Sequence, residues 1–390
     1  MEHPLQKLWA QPSRLVVGLM SGTSADGVDA VLTEITGSGL DTRVRQLGFF
    51  FLPFDSQTRQ EILDIAGGET GGSRRLCLLS TRLGQLYAQA VGELMTQTGV
   101  KHIDLIGCHG QTVYHIPEAV NYLGSPVSGT LQIGDPSYLA EAFGCPVVSD
   151  FRIRDMAAGG LGAPLVPYTE FLLYRSETET VALQNIGGIG NVTLLPAGCR
   201  LEDVVAFDTG PGNMVMDALA SRITGGRLTY DEGGKLAASG KVIPSLLAAM
   251  LDDPYLRKSP PKTTGREAYG AEYVRWLLSQ GDYDLADVLT TATWFTAKTI
   301  ALSLERFCPA LPQRLIVAGG GARNPTLMDC IRQSLPRVQV QTQEDLGLDS
   351  DAKEAVAFAI LANEALFANA NNAPSATGAR HGVVMGRINL

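Results

Sequence analysis

Three glycine-rich segments and one isolated carboxylate carry most of the chemistry legible in this chain. The first segment is Ser21-Gly22-Thr23-Ser24-Ala25-Asp26-Gly27-Val28-Asp29, which sets glycine backbone, hydroxyls and carboxylates directly after an apolar, β-branched run. Turns of this composition point N–H groups at phosphate oxygens, and a carboxylate among them can hold Mg²⁺, generally through water; Asp26 is the candidate. The alternative is an ordinary Asp-Gly hairpin, and the spacing differs from the G-x-x-x-x-G-K-[ST] phosphate loop. Gly187-Gly188-Ile189-Gly190-Asn191 occupies the matching place in the second half of the chain. Two such turns at equivalent positions can clamp opposite sides of a triphosphate, with Gly187, Gly188 and Asn191 as contacts. The third segment, Gly319-Gly320-Gly321-Ala322-Arg323-Asn324-Pro325, follows the apolar run Leu315-Ile316-Val317-Ala318. Its Gly319, Gly320 and Asn324 can pass beneath a flat ligand such as adenine or its ribose, or the glycines simply form a tight strand-to-helix turn.

The carboxylate is Asp208, in Phe207-Asp208-Thr209-Gly210-Pro211-Gly212-Asn213. Held at a strand end beside a rigid Gly-Pro-Gly, it is the first choice for a catalytic base that takes a proton from an attacking oxygen. An Asx turn or helix N-cap is the competing reading. Gly210 and Asn213 of the same segment are read as substrate contacts. Asp150, in Ser149-Asp150-Phe151-Arg152-Ile153-Arg154-Asp155, is the runner-up base and a substrate contact. Arg152 and Arg154 beside it can bind an anionic group or form a structural ion-pair network. His109 and His115, in Cys108-His109-Gly110-Gln111-Thr112-Val113-Tyr114-His115, are candidates for orienting substrate hydroxyls or a water, with a core histidine as the alternative, and Gln111 between them is taken as a substrate contact. Lys262-Thr263-Thr264-Gly265-Arg266-Glu267 reads as a polar loop, in its plainest form a solvated connection. No G-x-S-x-G elbow or zinc spacing accompanies these residues.

The elements that must position them follow a repeated order. Residues 14–20 and 28–35 read as a hairpin turned near Asp26-Gly27, and a third strand fits the 48–55 region. Helices are predicted over 56–67 and 76–99, then a short strand over 102–110 ending in glycine, a helix over 137–144 and a strand at 146–151. The second half repeats the pattern: a glycine-turned hairpin over 180–195, a strand at 204–211 and a helix over 213–223. Further helices intervene, then a strand at 314–318, a helix over 324–335, a strand at 337–342 and a last helix over 351–367. Strands alternating with helices imply mixed sheets covered by helices. The fold expected is α/β, two duplicated domains facing each other across a cleft. The first spans 1–158 plus 351–390 and the second 159–350.

Composition agrees with two such cores in 390 residues. The 31 Lys+Arg against 40 Asp+Glu leave a formal charge of −9, which disfavours a nucleic-acid partner. The opening residues lack a secretory apolar stretch and no run approaches the ~20 apolar residues of a membrane span, so a soluble, cytoplasmic protein is expected. Six cysteines without a C-x-x-C pair read as reduced thiols.

Across LMSGTSADGVD, GCHGQTVYH, LQIGD, VVSDFRIRDMAAGGLGAPLVP, NIGGIGNV, FDTGPGN, KTTGRE, AGGGARNP and KEAVAFA the sequence resembles the 1,6-anhydro-N-acetylmuramic acid kinases of bacterial cell-wall recycling. The resemblance covers almost the whole chain. It implies the actin-like, ribonuclease H-like ATPase fold shared by sugar and acetate kinases, and a cytoplasmic enzyme that is commonly a homodimer. It further implies a reaction in which ATP and Mg²⁺ phosphorylate O6 of a small anhydro amino sugar while water adds at C1. Carried over by motif, Gly22, Thr23, Ser24, Ala25, Asp26, Gly27, Val28 and Asp29 form the ATP phosphate loop, and Asp208 activates the water. Arg154 and His109 go to the sugar. The chain departs from the family pattern at Ala25, where leucine is frequent, at Gln184, also often leucine, and in a short extension before Arg14. A related sugar or acetate-type kinase of the same fold is the alternative function.

Overall fold

The computed structural model describes residues 4–68, 72–347 and 349–390. Among the described residues there are twelve strands: β1 (Ser13–Ser21), β2 (Gly27–Thr36), β3 (Arg43–Pro53), β4 (Leu105–Tyr122), β5 (Ser125–Ile133), β6 (Val147–Ser149), β7 (Val181–Ile186), β8 (Ile189–Leu195), β9 (Val205–Pro211), β10 (Arg314–Ala318), β11 (Gln339–Thr342) and β12 (Arg387–Asn389). They form two sheets, ordered β12-β6-β4-β1-β2-β3, with β5 on β4, and β11-β10-β7-β8-β9.

The expected duplication is visible in these orders. In the first sheet β1 pairs antiparallel with β2, β2 antiparallel with β3, and β4 lies parallel between β1 and β6. In the second, β7 pairs antiparallel with β8 and β8 with β9, while β10 lies parallel between β7 and β11. Each half therefore has a three-strand meander followed by two parallel strands reached through helices, as parallel neighbours require.

The chain separates into two compact units, 1–173 with 351–390 and 174–350. The sequence-based boundary at 158/159 lies earlier. Residues 159–173 are bonded into the first unit: Leu161 N–H donates to Thr377 O (2.8 Å), Gly162 N–H to Asp155 Oδ2 (2.9 Å), and Lys353 Nζ pairs with Glu170 Oε1 at 2.6 Å. Met1–His3, within the extension noted before Arg14, lie outside the described residues; Pro4–Ala10 of that extension is helical.

In the first unit the helix Lys353–Leu366 packs on β1, β2 and β4 and is buried from Ala355 to Leu366. Its alanine-rich side reaches the sheet at Gly18 and Gly107. There a Cβ would strike the carbonyls of Ala355 and Phe358, so only glycine permits the approach. Fully buried Ile360 and Leu361 each contribute about 2 kcal/mol of apolar burial. The second unit is organised around the helix Leu285–Phe307, whose Val288, Leu289, Phe295, Ile300 and Leu304 are buried among residues of β7, β8 and β10.

One element departs clearly from expectation. β4 does not stop at Gly110 but continues to Tyr122 and returns as β5 through Leu123-Gly124, both at positive φ (50° and 82°), as tight hairpins favour. Pro117 and Pro126 lie within these strands although proline lacks the N–H that a ladder uses. They are accommodated because the register is irregular between Ile116 and Val120, and because the arm beyond Val113 is largely exposed.

Candidate active site

In the first unit, the turn from Gly22 to Asp26 joins β1 to β2 and is braced from below. Ser21 Oγ lies 3.0 Å from Gly27 O and 2.6 Å from Gln111 Oε1, and Gln111 Nε2 donates to Gly22 O (3.1 Å) and Thr112 O (3.2 Å). Gln111, anticipated as a substrate contact, is buried with both ends of its amide engaged, and so acts as the brace of this turn. Thr23, Ser24 and Asp26 are exposed, whereas the side chains of Ala25 and Val28 belong to the core and offer only backbone. Ala25 adopts φ 53° with its N–H on Gly22 O (3.1 Å). Asp26 has one cationic neighbour, Arg59 Nη2 at 3.3 Å. Among the described residues no group of three His, Cys, Asp or Glu is placed to hold a metal. The exposed Asp26 fits an ion held chiefly by phosphate oxygens and water, the usual manner of Mg²⁺.

His109 is a core residue. Its Nδ1 lies 2.7 Å from Gly110 O, its Nε2 accepts from Arg152 Nε (2.9 Å), and its ring centroid is 4.7 Å from that of Phe358. Burial, with Arg152 nearby, pushes its pKa down to about 3, so it stays neutral and orients Arg152. Arg152 in turn donates to Gly162 O (2.8 Å). Arg154 is exposed on the short helix Phe151–Ala157. Asp150 takes the left-handed conformation (φ 57°, ψ 48°) and pairs with Arg387 Nη1 at 3.0 Å.

In the second unit, the two glycine motifs lock together. Gly212 N–H and Met214 N–H donate to Gly188 O (3.0 and 3.2 Å), and Asn213 N–H donates to Gly187 O (2.7 Å). A Cβ at Gly212 would collide with the Gly187 carbonyl. Thr296 Oγ1 donates to Gly212 O (3.0 Å), and Gly210 is buried against Thr299 of the same helix. Gln184, the family departure, is buried and donates through Nε2 to Asn185 O (3.0 Å) and Thr209 Oγ1 (3.2 Å), bracing the residue next to Asp208.

Asp208 is half-buried on β9, directly opposite Asn191 of β8, so the two side chains share a face. Its Oδ2 accepts from Thr264 N–H (2.9 Å), its N–H donates to Lys262 O (3.2 Å), and its carbonyl accepts from Tyr255 hydroxyl (2.8 Å). Among the described residues, Oδ1 receives no protein donor. Burial raises the Asp208 pKa, with Glu267 adding to the rise; the Thr264 N–H and Lys262 pull against it. Asp208 is neither an Asx turn nor an N-cap, and the 262–267 segment is solvated only in part: Thr263, Arg266 and Glu267 are exposed, while Lys262 is buried and Thr264 N–H holds the carboxylate.

A cavity of about 510 Å³ opens beside these motifs, lined by Asn213, Asp217, Tyr230, Gly320, Arg323 and Asn324 among others. Asn213 lies against Gly320 and Gly321, joining two motifs that are far apart in sequence. Asn324 Oδ1 caps the helix Pro325–Ser334 by accepting from Leu327 N–H (3.0 Å). Asp231, buried, accepts from Leu236 and Ala237 N–H (both 2.9 Å) and shapes the wall. Burial and Asp231 push the Asp217 pKa up to about 6. Sequence reasoning anticipates Gly320 and Asn324 here, and Gly319, next to Gly320, is not part of the lining; it misses Asp217, Tyr230 and Asp231. The one available signal for Asp217 is its place four residues after Asn213, on the helix that opens from the glycine segment.

Known proteins are similar along the entire molecule. The family profile described as anhydro-N-acetylmuramic acid kinase matches residues 14–390. A protein of Caldanaerobacter subterraneus subsp. tengcongensis with that name is 51% identical over 393 residues, covering 99% of each chain. One from Clostridioides difficile is 44% identical over 379 residues, covering 95% of this chain and 97% of its own. Solved structures that align include the ADPNP-bound activator of 2-hydroxyisocaproyl-CoA dehydratase from Clostridium difficile, at 14% identity, TM-score 0.42 and coverage of 90% and 96%. A ROK family glucokinase of Streptomyces griseus with glucose and AMPPNP aligns at 14% identity and TM-score 0.38, covering 90% and 99%. The chain belongs to the anhydro-N-acetylmuramic acid kinase family.

Proposed function

We propose that this protein uses ATP to phosphorylate O6 of 1,6-anhydro-N-acetylmuramic acid while water opens the anhydro bridge, giving N-acetylmuramic acid 6-phosphate and ADP. One observation carries the assignment of the base: in a chain matched to that family over 14–390, Asp208 is half-buried with raised proton affinity and has one carboxylate oxygen not engaged by a protein donor.

The chemistry then balances. Asp208 takes a proton from water as the water oxygen bonds to C1. The C1–O6 bond breaks, O6 bonds to the γ-phosphorus, and the bond between that phosphorus and the β,γ-bridging oxygen breaks to release ADP. A glycosidase would need a second carboxyl group to protonate the leaving oxygen; here phosphoryl transfer to O6 removes that need. Asn191, beside Asp208, and Gly210 and Asn213 are proposed to position substrates. The exposed Arg154 is proposed to meet the sugar's anionic side and Asp150 to accept from its hydroxyl groups, with His109 acting through Arg152. The 22–29 turn and Gly187-Gly188 are proposed phosphate contacts, and the cavity at Gly320 and Asn324, with Gly319 leading into it along the chain, a nucleoside site. Asp26 would hold Mg²⁺, which neutralises charge on the β- and γ-phosphates when bound.

No helix of the described residues is long and apolar enough to cross a membrane. Membership of the family supports the further reading of a cytoplasmic homodimer that acts in recycling of cell-wall sugar. The test is a reaction in ¹⁸O-water quenched early: the label is expected on the anomeric oxygen of the product and not in its phosphate. Label in the phosphate, or ring opening in nucleotide-free buffer, overturns the proposal.

A further inference from the structure

Lys262 is an unusual place for a charge. The residue is 6% exposed, and its ammonium lies 4.6 Å from the ring centre of Phe307, 4.7 Å from Tyr255 and 5.5 Å from Phe207. Among the described residues its one hydrogen-bond partner is the Tyr255 carbonyl, at 3.4 Å. A cation desolvated among three aromatic faces is held by their quadrupoles rather than by a carboxylate. The same segment grips Asp208 at three points: Lys262 carbonyl on its N–H, Thr264 N–H on Oδ2, and Tyr255 hydroxyl on its carbonyl. Phe207, the residue before Asp208, is itself a wall of the cage.

We propose that Lys262 is a positioning residue for Asp208: its caged ammonium locks residues 255–264 onto the end of β9 and sets the charge environment of the base. The inference rests on Asp208 being the base.

The charges around the cage define a pH signature. Asp208 and Asp253 favour the ammonium, while burial and Arg306, whose Nη1 donates to Leu256 O (3.2 Å), oppose it and bring its pKa down to about 8. In return the ammonium lowers the proton affinity of Asp208, against burial and Glu267. The lock is therefore nearly complete at neutral pH, half lost at about pH 8 and released above it as Lys262 loses its proton.

The experiment compares kcat and kcat/KM against pH for the full-length wild type, Lys262→Met, Lys262→Arg and Asp208→Asn. Wild-type kcat is expected to fall above about pH 8, and Lys262→Arg, permanently charged, to keep its plateau to higher pH. Lys262→Met is expected to bind ATP, lose roughly 10-fold or more in kcat, and move the acid limb of kcat/KM up by about half a pH unit, since the ammonium no longer favours the Asp208 carboxylate. A merely structural role would lower thermal stability without moving either limb. Should Lys262→Met not fold, the alkaline limbs of wild type and Lys262→Arg decide. A wild-type profile flat to pH 9.5, or an acid limb unmoved in folded Lys262→Met, overturns the inference alone. Near-native turnover in Asp208→Asn overturns the base assignment and this inference with it.

Discussion

Asp208 and Asp150 are both carboxylates at the C-terminal part of a strand, each in a unit of the same topology, and both are candidates for the base. Their surroundings differ. Asp150 sits in a left-handed turn after a three-residue strand and pairs with Arg387, an exposed cation of β12. Asp208 lies within a strand that continues to Pro211, half-buried, with a single backbone donor on Oδ2. An exposed ion pair contributes little and occupies the carboxylate with a cation, whereas burial without a full set of donors makes a carboxylate want a proton. The difference teaches that residue type and strand-end placement nominate a base, while the partner that engages the carboxylate selects it, a cation on Asp150 and a backbone N–H on one oxygen of Asp208.

The largest expected effect breaks the comparison if it comes out reversed. Asp208→Asn should lower kcat by roughly 10³-fold or more with ATP affinity retained, as for loss of an essential base. Asp150→Asn should cost at most about 10-fold, because an exposed ion pair and a substrate contact are lost rather than the base. Single-turnover rates of the two purified variants at saturating substrates measure this, and a larger loss in Asp150→Asn would exchange their roles.

The parts of this contrast that sequence reveals are the local ones. The hairpin turns at Asp26-Gly27 and Gly187-Gly188, and the strand ending at Gly319, are legible because β-branched runs break at glycine within a few residues. Asp208 is legible for the same reason, through the Gly-Pro-Gly beside it. Its selection over Asp150 is not, since the donor Thr264, the hydroxyl of Tyr255 and the cage of Lys262 come from 47 to 56 residues away along the chain. Lys262-Thr263-Thr264 reads as solvated from its residue types, and only packing against Phe207 and Phe307 buries Lys262, while Thr263 is exposed. His109 fails as a direct hydroxyl-binding candidate for the converse reason: nothing in Cys108-His109-Gly110 announces the Phe358 ring and the Arg152 guanidinium that enclose it.

A middle-sized effect sharpens the contrast between the supports of the two units. The first unit holds its glycine turn through a neutral pair, Ser21 and Gln111, rather than a caged cation. Gln111→Leu removes the donor on Gly22 O and leaves the Ser21 hydroxyl with one fewer partner, a loss of about 1–2 kcal/mol in holding the turn. The expected result is a KM for ATP about 10-fold higher, with the pH limbs of kcat/KM unchanged. Isothermal titration with a non-hydrolysable ATP analogue checks it, and an unaltered affinity would remove the turn from the phosphate contacts.

The smallest effect asks whether burial alone raises proton affinity in this unit, using a carboxylate outside the chemistry. Asp217 is half-buried beside Asp231, and its pKa stands at about 6 in the folded protein against about 3.9 in an unfolded chain. The sign follows from proton counts. Below pH 4 both states are protonated and the group is silent; between 4 and 6 the unfolded chain releases the proton while the folded one keeps it, so stability falls as pH rises. Above 6 both are ionised and the folded state carries the full penalty, which after solvent screening of a half-exposed group is about 1 kcal/mol. Asp217→Asn lacks this titration. In the ligand-free protein its Tm should match that of the wild type at pH 4, exceed it by a few degrees at pH 7, and gain the difference between those values. If Asp217→Asn had no advantage at pH 7, solvent would have to reach this carboxylate freely, and the same burial argument would weaken where it matters most, at Asp208.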